Sequence, residues 1–453
     1  MRGGWIGLPL FGLGCSLKPI ARAISENMET ECLIIGGGAA GLYAALTCRQ
    51  YWPEKRVTLV EAEKEIGYYR TLLPLFITGK LEEDKLFFWQ SRSDHLLDVR
   101  PGMRVVSLDR LNQTLQMGNG EKITYDRLVL APGGYPLMPR VCTGIPYKGI
   151  FPVRDLTTAR TVRKWIHRHK KIVVLGGGFI GLKTAVSLAV AGFTVVLVEK
   201  EDHLLPQALS AEAARPVEEH LQRIGMQIVL GCILEDIKAE RGVLKSVQVG
   251  KKWLRCNTLL VAIGSTPHVG FLENSDVLDN GELVVPPTLQ TRDERIYAAG
   301  DAVKISTPDG RQFTPWIWPQ AVAQGKLAGA NLYRSVPLSL KMLTRPNSMN
   351  LHGLSVVILG APVPEAQVTR YSSPQTGIHR ELFVQDGRIV GGALVGEVSG
   401  AGPLHAAMIA ERKVGEGIHD LIQPRSRVLS QLVETYFSQQ GRVGFLFHQE
   451  IPA

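Results

Sequence analysis

Cysteine is scarce in this chain. Six thiols are spread over 453 residues (Cys15, Cys32, Cys48, Cys142, Cys232 and Cys256), and none stands in a C-x-x-C or in a cluster with metal-ligand spacing. A zinc site of the usual motif type is therefore excluded, and scattered thiols suit reduced cysteines in a cytoplasmic protein. Long apolar runs are also missing, and none approaches the ~20 residues that a membrane-crossing helix needs. Acidic residues are outnumbered, 42 Asp and Glu against 51 Lys and Arg, for a net charge of +9. That balance favours acidic partners, and a solvated basic surface explains it as well. Beyond net charge nothing points to nucleic acid.

The chain is too long for one ordinary core and fits two or three domains. A composition of 45% hydrophobic residues with 47 glycines suits an α/β protein with many tight turns. The N-terminus is anomalous. "GWIGLPLFGLG" (4–14) reads as a short signal-type apolar stretch before Cys15, yet Gly12 stands where a lipoprotein signal prefers Leu. "METECLIIGGG" begins at Met28, just before the first expected strand. Residues 1–27 are accordingly expected to be a poorly ordered extension from a non-native start.

Three features recur in order, roughly 130–140 residues apart, as an internal duplication. The first is an apolar strand, a GxGxxG loop and a helix: Gly36, Gly38 and Gly41 in "LIIGGGAAGLY", then Gly176, Gly178 and Gly181 in "VVLGGGFIGLK". The second is a strand ending in glutamate, Glu61 and then Glu199. The third is "LVLAPGGYP" with Ala131 and Gly133, echoed by "LVAIGSTP" with Gly264. Each third feature follows a strand-rich meander. Glycines at this spacing let the backbone turn and approach a pyrophosphate, and the helix N-terminus offers it free N–H groups. The glutamates suit ribose hydroxyls. Two such loops imply two dinucleotides, a flavin dinucleotide to hold and a nicotinamide dinucleotide to visit. A carboxylate at Glu199 repels a 2′-phosphate and so favours NADH over NADPH. Residues 154–171 read as a basic helix. After 345, "LSVVILGAP" and "RELFVQDGRIVGGALVGE" read as strands, the latter a hairpin at Asp386-Gly387, and "AGPLHAAMIAERKV" reads as a helix.

"TRDERIYAAGDAV" (291–303) and "WIWPQAVAQGKLAGANL" (316–332), taken in order with both loops, resemble the pyridine nucleotide–disulfide oxidoreductase superfamily over residues 29–420. The resemblance implies an α/β fold with two Rossmann-like domains and a C-terminal α+β interface domain of the kind that mediates dimers. The FAD domain would take 28–150 and 270–345, the NAD domain 151–269 and the interface domain 346–453. It further implies that FAD is held by Gly36, Gly38, Ala39, Ala40, Gly41, Glu61, Arg70, Thr71, Val105, Ala131, Pro132, Gly133, Asp301, Gln320 and Ala321. NADH would be held by Gly176, Gly178, Phe179, Ile180, Gly181, Glu199, Lys200 and Gly264.

The stretch after Glu61, "IGYYRTLLPLFITG", has no cysteine, whereas disulfide reductases of the superfamily carry C-x-x-x-x-C there. Thr71 stands where its NADH oxidases and peroxidases place a cysteine, and Ala39 where they place a histidine. His405 does not match the superfamily's C-terminal histidine motif and reads as structural. "Y-x-R-x-x-L" resembles rubredoxin and ferredoxin reductases and the flavin part of nitrite reductase. That implies electron transfer from NADH through FAD to a carrier protein or partner subunit without a thiol relay. Two alternatives are a membrane-surface NADH:quinone reductase, which needs an amphipathic anchor that the partly apolar tail 427–449 does not clearly form, and a non-enzymatic flavin-binding sensor or assembly subunit. Lys183 replaces the glutamate usual at its position, and the lysine that would pair with that glutamate falls near Leu75. Lys183 is expected to be catalytic at the flavin edge, with Glu65, Glu63 or an ordered water as its partner.

Overall fold

The computed structural model describes residues 28–90, 95–144, 147–168, 170–308, 310, 312–314, 316–340, 346–360, 362–363, 365–414 and 421–424. The N-terminal extension and the apolar tail read from the sequence lie outside them.

The first unit opens with Met28–Ile35 (β1), Ala39–Tyr51 (α1) and Val57–Glu61 (β2). A short helix, Leu73–Ile77 (α2), and the strand Leu97–Pro101 (β3) follow. A meander of Val105–Asp109 (β4), Thr114–Met117 (β5) and Lys122–Leu130 (β6) leads to a three-residue strand, Gly134–Pro136 (β7). β1 lies between β2 and β6 and is parallel to both, so the tips of all three converge where Ile35 pairs with Val60 and Leu130. A parallel sheet covered on both faces accounts for the unbroken apolar runs at those tips.

The second unit repeats this order. It comprises Ile150–Pro152 (β8), Leu156–Ile166 (α3), Lys171–Leu175 (β9), Phe179–Val190 (α4), Thr194–Val198 (β10), Ala211–Arg223 (α5) and Gln227–Val229 (β11). Its meander is Leu234–Glu240 (β12), Val243–Val249 (β13) and Lys252–Arg255 (β14), followed by Thr258–Val261 (β15) and Ser265–Pro267 (β16). The parallel sheet runs β11-β10-β9-β15-β8. The two copies differ in their meanders. In the first, the meander stays hydrogen-bonded to β6, whereas in the second β12–β14 form a separate sheet. β7 and β16 pair with each other and tie the two crossings together.

The basic helix expected over 154–171 is shorter. Asp155 caps α3 by accepting from Thr158 N at 2.7 Å, the helix stops at Ile166, and Lys171 already belongs to β9. Its arginines are largely spent within the fold: Arg160 pairs with Glu65 and Glu83, each at 2.5 Å, and Arg163 with Glu82 at 3.4 Å.

The chain then returns to the first unit through Leu283–Val285 (β17), Ile296–Ala298 (β18), Val303–Ser306 (β19), Gln312–Phe313 (β20) and the helix Trp318–Asn331 (α6). β18 joins the first sheet beside β6, and α6 lies along α1 in backbone contact. A Cβ placed at Gly325 would sit 2.1 Å from Ala40 O, and one at Gly329 would sit 2.4 Å from Ala44 O. The last unit is an antiparallel sheet of Asn347–Leu351 (β21), Leu354–Gly360 (β22), Gln367–Ser373 (β23), Ile378–Gln385 (β24) and Arg388–Val395 (β25), followed by the helix Ala401–Ile409 (α7). The hairpin turn has positive φ at both Asp386 (51°) and Gly387 (73°), which suits a two-residue turn between twisted strands.

Gly325→Ala is expected to destabilise the protein by ~1–3 kcal/mol or more, because the added methyl meets backbone that cannot move aside. Gly402→Ala, in open space on α7, is expected to be neutral or mildly stabilising. Urea midpoints of the two variants test the contrast.

Candidate dinucleotide sites

Both glycine loops have the same geometry. Gly36 N donates to Val60 O and Gly176 N to Val198 O, each at 2.8 Å. The φ angles of Gly36 and Gly176 are +102° and +107°, a region that side chains rarely enter. A Cβ at Gly41 would lie 1.8 Å from Gly36 O, and one at Gly181 would lie 1.9 Å from Gly176 O. Each helix therefore starts directly on its own strand. Gly38 and Gly178 occupy the N-cap positions with no side-chain cap and open space around them. The first-turn amides, from Ala39 and Ala40 in α1 and from Phe179 and Ile180 in α4, have no side-chain acceptor at the cap. A phosphate satisfies such groups and the helix dipole together.

The two glutamates are set identically. Glu61 accepts from Gly37 N at 2.6 Å and from Glu63 N at 2.8 Å. Glu199 accepts from Gly177 N at 2.5 Å and from Glu201 N at 3.0 Å, and it is buried. Acceptor-only groups so held keep lone pairs for two vicinal hydroxyls. Gly36, Glu61, Val105 and Pro132 line one small cavity of about 40 Å³ together with Arg104, His268 and Phe271. Ala131 O faces Gly36, and Ala262 O faces Gly176. Gly133 and Gly264, both at positive φ, open the segments that lead into β7 and β16.

Asp301 sits in a single turn between α1 and α6, held there because Gln324 Oε1 accepts from Gly300 N at 2.7 Å. Gln320 and Ala321 are buried in the first turn of α6. Arg154 Nη1 lies 3.7 Å from Asp301, and Arg70 Nη1 donates to Arg154 O at 3.1 Å and to Tyr68 Oη at 2.8 Å. Arg70 also pairs with Glu63 at 2.5 Å. Burial and then the Arg70 charge push Arg154 below the ordinary arginine value. An arginine stays charged regardless, so Arg154 is an under-compensated cation beside the loop. The donor set fits a dinucleotide pyrophosphate.

Some expected residues stand apart. Thr71 is exposed, one residue beyond Arg70. Lys200 is exposed and pairs with Glu201 at 3.0 Å. Lys183 is half-buried, and burial pushes its pKa down. The counter-ions expected for it are both engaged elsewhere, Glu63 by Arg70 and Glu65 by Arg160. Among the described residues no ion pair or hydrogen bond holds Lys183. His405 lies in α7, and burial lowers its pKa as well.

Sequence reasoning missed several groups. Gln324 is fully buried and fixes the Asp301 turn, and only its place in the α6 pattern marks it. Arg104, Tyr135 and His268 form a chain at the cavity mouth, with Arg104 Nη1 2.9 Å from Tyr135 Oη and that oxygen 2.6 Å from His268 Nε2. Tyr43, Tyr69, Phe88 and Trp318 pack as four rings around the start of α6, centroids 4.9–6.2 Å apart. Their spacing in the chain has no period to read.

The family model for pyridine nucleotide-disulphide oxidoreductases matches residues 30–325, well over half of the chain. The chain belongs to this family. It is an oxidoreductase that binds FAD and a nicotinamide dinucleotide. An NADH oxidase of Methanocaldococcus jannaschii is 27% identical over 407 residues, 84% of this chain and 90% of the relative. A rubredoxin–NAD(+) reductase of Pseudomonas putida is 26% identical over 59% of this chain and 71% of its own length. The fold matches putidaredoxin reductase in its covalent putidaredoxin complex with a TM-score of 0.82, at 20% identity, over 90% of this chain and 99% of that one.

Arg154→Met is expected to weaken FAD retention by about tenfold or more, the loss of one charge-assisted contact. Equilibrium ultrafiltration of the refolded apoprotein with FAD measures it.

Proposed function

We propose that the protein is an NADH-dependent, FAD-containing reductase of an electron-carrier protein or a partner subunit. The observation that carries this reading is the pairing of two matched dinucleotide loops with a thiol-free stretch after Glu61. Held by these residues, bound FAD would supply hydride acceptance from NADH and one-electron transfer to the acceptor. In the first site, Glu61 orients the ribose, the amides of Ala39 and Ala40 meet the pyrophosphate, and Arg70 and Arg154 neutralise it. In the second, Glu199 takes the ribose hydroxyls, and its negative charge turns away a 2′-phosphate. Lys200, drawn off by Glu201, does not relieve that repulsion. No thiol takes part. Burial pushes Cys142 up to about 11 and Cys256 up to about 12, which removes the thiolate form. The rubredoxin–NAD(+) reductase relative supports a carrier protein as acceptor, and the net charge of +9 suits an acidic one. The domain limits 28–150 with 270–345, 151–269 and 346–453 remain part of this proposal; β8, which pairs with β15 from Ile150 onward, supports a crossing into the second unit near the first of them. The last of these units is proposed as the interface through which the chain forms a homodimer.

The test is anaerobic mixing with NADH, followed by rubredoxin or a plant-type ferredoxin as acceptor. The flavin absorbance is expected to bleach rapidly with NADH and slowly with NADPH, and carrier reduction is expected to follow. A flavin that NADH does not bleach overturns the reading. Glu199→Ala should narrow the NADH-to-NADPH ratio of kcat/KM, since the repelling charge is gone.

Lys183 is the proposed charged group on the nicotinamide side. In place of an ion pair it brings an uncompensated cation, which stabilises negative charge on a neighbouring reduced ring. Lys183→Met is expected to lower the flavin midpoint potential and to slow reduction by NADH with FAD still bound. An unchanged potential and an unchanged rate show that the lysine is not part of the site.

A further inference from the structure

The sequence spreads its thiols, but the fold brings two of them together. Cys32 on β1 and Cys48 on α1 have their sulfurs 3.3 Å apart, and both residues are 0% exposed. Cys48 Sγ donates to Cys32 Sγ, and Cys32 Sγ donates to Tyr333 Oη at 3.6 Å. The pair is polarised. The hydrogen bond from Cys48 brings Cys32 below the ordinary thiol value, while that bond and burial push Cys48 up. The proposed reaction uses neither thiol. The strand and helix that carry them flank the first glycine loop, so a bond between them would enclose Gly36, Gly38 and Gly41.

We propose that Cys32 and Cys48 form a redox-reactive dithiol, which hydrogen peroxide oxidises to a disulfide that locks the first glycine loop. Cys32 Sγ attacks the O–O bond, becomes a sulfenic acid and releases one water. Cys48 Sγ then attacks the Cys32 sulfur. The S–S bond forms, the S–O bond breaks, and the hydroxyl leaves with the Cys48 proton as a second water. Two thiols lose two electrons and two protons, and one peroxide becomes two waters. The sulfurs must close to about 2.05 Å. β1 is held by strands on both sides, so the movement falls on α1, where Cys48 lies one turn from the helix end at Tyr51. Full burial makes opening of that turn the step that admits peroxide. Once closed, the ring restricts the loop when FAD is absent.

The test treats the FAD-loaded protein with hydrogen peroxide, quenches in acid and digests without reductant. Mass spectrometry is expected to find one cross-linked peptide pair joining Cys32 to Cys48, two hydrogens lighter than the thiols. It should vanish with dithiothreitol and be absent from Cys48→Ser, or from Cys48→Ala should the serine variant not fold. The oxidised protein should melt several degrees higher, reversibly with reductant. The proposal is overturned if both thiols alkylate in full after denaturation of the treated protein. It is equally overturned if either thiol ends as a sulfinic acid, or if Cys32 or Cys48 pairs with another cysteine.

Discussion

The first site depends on how closely three backbones approach one another around α1. The helix begins against its own strand, with Gly41 over Gly36 O, and α6 lies along its flank at Gly325 and Gly329. Any side chain at these positions would push the helix outward. Its N-terminus would then no longer point at the space between β1 and β6. The free amides act on a phosphate only within the first turn and along the axis. The glycines are therefore a positioning device more than a source of flexibility. α6 brings Gln324 and hence the Asp301 turn, so the same contact that aims the helix also sets the far end of the site.

The second unit repeats the loop but not its surroundings. Around the first loop stand Arg70, Arg104 and Arg154, opposed among the described residues by Glu61, Glu63 and Asp301. Around the second, Lys200 turns outward to Glu201, and among the described residues there Lys183 is the half-buried lysine. A diphosphate with several arginines is held strongly, and one resting on helix amides with a single distant cation exchanges more readily. That asymmetry matches one dinucleotide kept and another that comes and goes.

What the sequence made legible is what rests on local spacing. The two loops, Glu61 and Glu199, the duplicated order, the hairpin at Asp386-Gly387 and the start of α6 near Pro319 all follow from turn chemistry and from runs of apolar residues. What it hid depends on pairing across the fold. The basic stretch 154–171 read as one helix because charge is visible in sequence and its neutralisation is not, since the partners Glu65, Glu82 and Glu83 lie 77 to 95 residues before their arginines. The counter-ions assigned to Lys183 were misplaced for the same reason. Glu63 and Glu65 lie in the segment expected at the flavin edge, but a guanidinium has already claimed each. Cys32 and Cys48 lie sixteen residues apart and meet only because α1 folds back over β1.

The stretch after Glu61 shows why the thiol-free character is built into the packing. Residues 68–77 serve both units at once. Arg70 reaches Arg154 O in the crossing to the second unit, and Tyr68 Oη accepts from Leu156 N at the start of α3. Leu73, Phe76 and Ile77 of α2 are buried in one core with Leu182 and Val186 of α4. At the far side, Ser210 caps α5 and donates to the fully buried Glu381 of β24 at 2.7 Å, which ties the second unit to the C-terminal sheet. Burial alone would raise the Glu381 carboxyl, but the hydrogen bonds from Ser210 N and Oγ, together with the His379 ring 3.6 Å away, outweigh it and hold the carboxyl below its ordinary value. The second loop is thus clamped from both sides, by α2 and by β24. The stretch after Glu61 therefore packs against both units, and its side chains from Tyr68 to Ile77 tie the second loop's helix to the first unit.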